Sequence, residues 1–145
     1  MLKQEFWTAF GQYMSPILSA EDESINWINY KTGEKDIYFR MNADNKTATI
    51  SIEITHKDES LQELYFEQFI QLKTLLQNTL NEDWIWQLHT HDENGKTISH
   101  IYKSIENINV FNKEDWPQLI SFFKSRIIAL DEFWSNAKHV FEAMH

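Results

Sequence analysis

One short segment constrains the fold of this chain more than any other. Between residues 47 and 55 the side chains alternate strictly between apolar and polar. The apolar members are Ala48, Ile50, Ile52 and Ile54, and the polar members are Thr49, Ser51, Glu53 and Thr55. Successive residues of a strand point to opposite faces, so this strand is expected to bury one face and expose the other. Such a strand is typical of an antiparallel sheet that is covered on one side.

Four further segments have strand character, at residues 25–30, 36–41, from 84 onward, and 96–105. A two-residue turn at Asp44-Asn45 would join the second and third of the five strands, and Asn94-Gly95 would join the last two. The first of these turns predicts a register that keeps apolar residues on one face. It pairs Met41 with Ala48, Phe39 with Ile50, and Ile37 with Ile52.

Three segments have helical periodicity. The first begins near Lys3 and ends at Pro16, and the second is capped by Ser60 and Glu63 and continues to Leu80. The third follows Asn112 and carries an apolar stripe to the end of the chain. The predicted fold is therefore α+β, in the order α-β-β-β-α-β-β-α. We expect a five-stranded, mostly antiparallel sheet with helices on one face, forming a single domain over residues 1–145.

Composition narrows the classes of function. The 145 residues carry a formal charge of −9 and no cysteine, which excludes disulfides and thiolate chemistry. This charge opposes binding to a phosphate backbone, so we expect no nucleic-acid partner. No segment reads as a signal peptide or a membrane span, so we expect a cytoplasmic protein without a membrane partner. No phosphate-binding loop, helical zinc motif or serine elbow is present, and we predict no cofactor.

A histidine group is the best candidate for a metal site. Strand alternation places His89 and His91 on one face, and a two-residue turn at Asn94-Gly95 would set His100 directly across from His89. Three imidazoles at such spacing are suitable ligands for a divalent ion. The alternative is an ordinary solvated hairpin face, and this is the interpretation we prefer.

The polar face of the sheet is the second candidate site. Tyr38, Arg40 and Glu53, with Ser51 and Trp27 near them, could bind a ligand or perform acid–base chemistry. The chemical identity of such a ligand is left open. Glu53 is not followed by the lysine that a nuclease sheet would place two residues on, which argues against that active site. The preferred alternative is an open face with ordinary cross-strand pairs, or one that is covered by another subunit.

The third predicted helix suggests a partner. About thirty helical residues span roughly 45 Å, whereas a compact domain of this length is about 35–40 Å across. Phe141 and Met144 would then overhang the domain and need an apolar cover. We therefore predict a homodimer that forms through this helix.

The order of several aromatic segments resembles a known family. The residues concerned are the segments 6–10, 25–30 and 50–54, together with Trp84 and the Phe133-Trp134 pair. In these features the chain resembles the bacterial family called domain of unknown function 4268, over nearly its whole length. The resemblance implies a link to nuclease-like proteins, since longer members look like fusions of this domain to a nuclease-like domain.

Two functions follow from these observations. The first is a non-enzymatic interaction module that self-associates, which fits the aromatic excess and the absence of a catalytic motif. The alternative, implied by the resemblance alone, is an accessory domain of a nucleic-acid-processing system in defence or repair. Whether the chain is an enzyme stays open, because hydrolysis at the histidine hairpin or at Glu53 is a third possibility.

Overall fold

The computed structural model describes residues 1–145, which form four α-helices and four β-strands. The helices are α1 (Leu2–Met14), α2 (Glu59–Gln71), α3 (Lys73–Leu80) and α4 (Trp116–Glu142), and a 3-10 turn (Lys113–Asp115) precedes α4. The strands are β1 (Ile37–Ala43), β2 (Thr47–Ile54), β3 (Ile85–His91) and β4 (Thr97–Glu106). The predicted α+β class is confirmed. The predicted five strands and their order are wrong, because the chain runs α-β-β-α-α-β-β-α.

The four strands form one antiparallel sheet in the order β1-β2-β4-β3. On β2 the four apolar residues of the alternating segment are all buried. Helix α2 packs against β2, β3 and β4, and α4 packs against β1 and β2. We call the face under these helices the inner face and the opposite one the outer face. None of the helices has the length and apolar character that crossing a membrane requires.

Helix α4 lies at the centre of the hydrophobic core. A single cluster of 28 buried residues joins the helices to the inner face, and α4 provides nine of them. These nine are Leu119, Phe122, Phe123, Ile127, Leu130, Phe133, Trp134, Ala137 and Phe141. Apart from the adjacent pairs Phe122-Phe123 and Phe133-Trp134, their spacings are three or four residues, which places them along one side of the helix as the sequence pattern predicts.

The end of α4 belongs to this core, so the predicted overhang of the helix is wrong. Phe141 is fully buried, with its ring centroid 4.6 Å from that of Phe69 and 5.1 Å from that of Trp134. Tyr65 stacks on it at 6.2 Å, and Met144 packs against the same cluster. The cover that we expected from a second subunit comes from α2 of the same chain.

The first predicted strand, at residues 25–30, is an irregular connection. Residues 15–36 contain no helix or strand and form what we call the long loop. The Asn26 side chain accepts hydrogen bonds from the N–H groups of Ile28 and Asn29, which bends the chain away from an extended path. Trp27 enters the core and Tyr30 contacts α4, so these aromatic residues anchor a loop and do not alternate across a sheet.

The register of the first hairpin differs by two residues from the predicted one. Its apolar pairs are Ala43 with Ala48, Met41 with Ile50, Phe39 with Ile52, and Ile37 with Ile54. The turn is centred on Asn45-Lys46, because Asp44 accepts hydrogen bonds from the N–H groups of Lys46 and Thr47. A shift of two residues preserves the side-chain phase, so the predicted inner face is correct although the register is not.

The second predicted helix is two helices, α2 and α3, that meet at Leu72. Leu72 departs from helical geometry, with φ −98° and ψ 9°. The N-cap of α2 is Asp58 rather than Ser60, since its carboxylate accepts from the N–H groups of Ser60 and Leu61. The break turns α3 so that Leu76 also reaches the core.

Candidate functional site

The outer face of the sheet is not covered by any helix and carries polar and aromatic side chains. Cross-strand pairing sets Tyr38 opposite Glu53, Arg40 opposite Ser51, Ser51 opposite Tyr102, and Glu53 opposite His100. Side chains of this face also form hydrogen bonds with each other across the strands. The hydroxyl groups of Thr49 and Ser104, for example, lie 2.7 Å apart. The outer face is therefore a polar surface whose side chains are ordered by contacts with their neighbours.

Three of the four residues predicted to bind a ligand meet on this face. Arg40 Nε lies 3.0 Å from Glu53 Oε1, and the Arg40 guanidinium lies 4.4 Å from the centroid of the Tyr38 ring. The Arg40 side chain remains 48% exposed and that of Glu53 20%. Tyr38, Arg40 and Glu53 therefore lie next to one another on the outer face.

These three residues border a groove of about 360 Å³ at one end of the outer face. Its opposite wall is the tip of the β3–β4 hairpin, which contributes Asp92, Glu93, Asn94 and Lys96. Asp92 shapes that tip by accepting hydrogen bonds from the N–H groups of Asn94 and Lys96. The groove is thus almost wholly polar.

Trp27, the fourth residue of the predicted set, lies elsewhere. It is buried in the core, and its indole N–H donates to the Ile17 carbonyl oxygen at 3.0 Å. The expectation that Trp27 would face Arg40 rested on the first predicted strand, which is absent. Its position anchors the long loop.

The three histidines of the second hairpin do not converge. Strand β3 contains a bulge, because two of its residues, Leu88 and His89, lie opposite the single residue Ser99 of β4. His89 accordingly has a positive φ of 50°. The bulge and the longer turn place His100 opposite Gln87, so its predicted pairing with His89 is wrong.

Each of these histidines has its own surroundings. His89 Nε2 lies 3.0 Å from the Glu59 carbonyl oxygen, His100 Nε2 lies 2.7 Å from Gln87 Oε1, and His91 is exposed. Burial lowers the pKa of His100 below its usual value. No group of three histidine, aspartate or glutamate side chains has the geometry to hold a metal ion.

A second cavity, of about 350 Å³, lies where the long loop packs against α4. The sequence pattern does not indicate this cavity, because residues 25–30 of the loop have strand character. Asp131 of α4 borders the cavity and is 95% buried, being 5% exposed. A signal was present in the sequence: Asp131 follows Ile127 by four residues and precedes Trp134 by three, so it lies on the apolar stripe of the helix.

The carboxylate of Asp131 holds the long loop to α4. The Ala20 N–H donates to its Oδ2 at 2.7 Å, and the Tyr30 hydroxyl donates to its Oδ1 at 2.6 Å. Burial, followed by the hydrogen bond to Asp131, raises the pKa of Tyr30 well above its usual range. Tyr30 therefore remains a neutral hydrogen-bond donor to Asp131 at every physiological pH.

Basic residues are dispersed over the molecule. Lys46 lies in the β1–β2 turn, Lys96 lies at the tip of the other hairpin, and Lys103 pairs with Ile50 on the inner face. Arg40 is engaged by Glu53. These side chains do not form the continuous basic strip that follows a phosphate backbone.

The architecture defines a class: an α+β protein with an open antiparallel sheet, helices on one face and a polar outer face. The chain belongs to the family described as domain of unknown function (DUF4268), whose model matches residues 2–138. The predicted resemblance is thereby confirmed. No curated protein and no solved structure matches the chain.

Proposed function

We propose that this chain is a cytoplasmic, non-enzymatic interaction module that self-associates as a homodimer through the outer face of its sheet. The observation that carries the proposal is the uncovered centre of that face. Tyr38, Tyr102 and the Arg40–Glu53 pair stand there side by side on neighbouring strands, without any helix above them. Tyrosine and arginine are enriched at the energetic centres of protein interfaces.

Charge favours a second copy of the chain at this surface. The molecule carries a net charge of −9, so most contacts between two copies are repulsive. Arg40 and Glu53 make the centre of the outer face neutral, and each can pair with the opposite residue of the other copy across a two-fold axis. Arg40 is half exposed and keeps guanidinium donors for such an exchange, because only its Nε contacts Glu53.

The outer face replaces helix α4 as the proposed interface. A dimer formed through α4 would require apolar residues at the end of that helix to be exposed, and Phe141 is fully buried. The proposal of a non-enzymatic role is supported by the state of the outer-face groups. Glu53 is paired with Arg40, and His100 Nε2 lies 2.7 Å from Gln87 Oε1, so both side chains already have partners within the sheet.

A charge-exchange experiment tests the interface. Arg40→Glu places two carboxylates beside each other and should reduce the association constant by about tenfold or more. Glu53→Arg places two cations beside each other and should have an effect of the same size. The double variant Arg40→Glu/Glu53→Arg should recover association, because it restores opposite charges within and between the copies. Sedimentation equilibrium over a concentration series measures each constant.

The control is Lys57→Glu, which makes the same charge change at an exposed position between β2 and α2. It should alter association by less than about twofold, because Lys57 is exposed and lies outside the strands that form the outer face. A wild-type protein that stays monomeric at high micromolar concentration would refute the proposal. Equal effects of Lys57→Glu and Arg40→Glu would also contradict it, since net charge alone would then govern association.

A further inference from the structure

The cavity between the long loop and α4 has a feature that its structural role does not explain. Asp131 is nearly buried, yet both of its hydrogen-bond donors, the Ala20 amide and the Tyr30 hydroxyl, are neutral. None of the ion pairs of the protein includes Asp131. A buried carboxylate is costly unless a positive charge compensates it, and buried charges in proteins are usually paired.

The surroundings of Asp131 add negative charge. The cavity is also bordered by Glu21, Glu23 and Lys31, so its three carboxylates and one ammonium carry a net charge of −2. Lys138 pairs with Glu21 at 2.6 Å from outside the set, which leaves −1. The cavity therefore has an uncompensated negative charge, and its most buried carboxylate lies against the wall formed by α4.

Shape and donor chemistry indicate which cation would fit. A volume of about 350 Å³ falls within the range of small-molecule sites and far exceeds that of a bare ion. No cluster in the protein has the geometry to chelate a metal. An alkylammonium group, by contrast, needs acceptors for its three N–H bonds, and each Asp131 oxygen has a lone pair beyond the one already used. Asn26 and Ser19, from the long loop, supply further polar groups to the lining of the cavity.

We propose that this cavity binds a small aliphatic amine, with one ammonium group on Asp131. The amine supplies the positive charge that Asp131 lacks, and the hydrogen bonds of an ammonium to a carboxylate are stronger than those between neutral groups. Glu23, exposed at the rim, attracts a second ammonium, so that a short diamine is bound more tightly than a monoamine. Occupancy would tie the long loop more firmly to α4.

The test uses butane-1,4-diamine as the probe and the full chain as the protein. Isothermal titration calorimetry should show saturable one-to-one binding, whereas butane-1,4-diol, which has the same chain length without charge, should not bind. Asp131→Asn should weaken the diamine by about tenfold or more, because it removes the charge and keeps an oxygen for the Ala20 amide. Glu132→Gln, the same change at an exposed neighbour, should alter the affinity by less than about twofold.

Two results would overturn the proposal: no heat of binding with the wild-type protein, or equal affinity in Asp131→Asn and the wild type. If circular dichroism shows that Asp131→Asn is unfolded, Glu23→Gln decides the question, because Glu23 is exposed and its replacement leaves the fold intact. It should weaken the diamine by about threefold and leave a monoamine unaffected. An equal loss for both amines would contradict the proposed orientation. Dimerisation and amine binding are measured independently, so one proposal can fail without the other.

Discussion

The inner and outer faces of the sheet are built on opposite principles, although the same strands form both. On β2 the inner residues Ile50, Ile52 and Ile54 are fully buried under helices and contribute through exclusion of water. The outer residues, such as Thr49 and Glu53, are held by specific partners within the sheet. From this difference we expect that substitutions on the inner face impair folding, whereas substitutions at exposed positions of the outer face cost little stability.

The strongest disruption of the inner face is a truncation after Ser135. It removes Ala137 and Phe141, which are buried, and loss of a buried phenylalanine alone costs about 3–5 kcal/mol. Since a domain of this size is stable by about 5–15 kcal/mol, we expect the truncated chain to lack a cooperative thermal transition. Removal of residues 143–145 is the comparison: it takes away the partly buried Met144 and the His145 contact to Glu34 but no fully buried side chain, so it should keep a cooperative transition at a lower melting temperature. A truncated protein with a native-like melt would show that α4 ends outside the core.

A pair of substitutions on β2 compares the two faces directly. Ile52→Asp places an unpaired carboxylate in the core and should destabilise by more than about 4 kcal/mol. Thr49→Asp, on the outer face of the same strand, loses one hydroxyl contact and should cost about 1 kcal/mol. Urea melts of both variants provide the measurement. Similar midpoints for the two would mean that the assignment of the faces is wrong.

The smallest expected effect is a pH dependence that comes from one buried histidine. His56 is 6% exposed, stacks against Tyr65, and has an Nδ1 atom without a hydrogen-bond partner. Burial lowers its pKa, although Asp36 and Glu34 partly oppose that shift and Lys35 adds to it. The unfolded chain, with a histidine pKa of about 6.5, then binds more protons than the folded one.

Neutral His56 therefore contributes fully to the free energy of unfolding above about pH 6.5. This contribution is lost as the pH falls from about 6.5 through the lowered pKa of the folded state. His56→Phe keeps the stacking and should flatten this part of the stability–pH profile, as followed by urea melts between pH 5 and pH 8. His100→Gln, on the outer face, should flatten the same part of the profile as well, because burial also lowers the pKa of His100. An unchanged slope in His56→Phe would assign the acid sensitivity to other groups.

Periodicity predicted the covered part of the fold well. The alternation around Ile52 and the three-and-four spacing through Trp134 depend on which side is buried, and burial of that kind is encoded in the local pattern. The register of the first hairpin was not encoded in this way. It was set by the Asp44 carboxylate, whose hydrogen bonds to the turn amides place the two-residue turn at Asn45-Lys46 and not at Asp44-Asn45.

The candidate site was only partly predictable for the same reason. Tyr38, Arg40 and Glu53 come together because they share the alternation of neighbouring strands. The cavity depends on contacts between residues far apart in the chain, such as Tyr30 and Asp131, which no local pattern reports. The segment 25–30 is rich in residues that favour strands, and tertiary contacts overrode that preference.

The long loop also constrains the order in which parts of the structure can form during synthesis. Its hydrogen bonds to α4 join Tyr30 with Asp131, Ala20 with Asp131 and Lys138 with Glu21, at sequence separations of 101, 111 and 117 residues. Synthesis from the N-terminus makes the loop more than 100 residues before the helix that holds it. The loop therefore lacks these hydrogen-bond partners until α4 has been translated. The cavity can form only after α4 has packed against the loop.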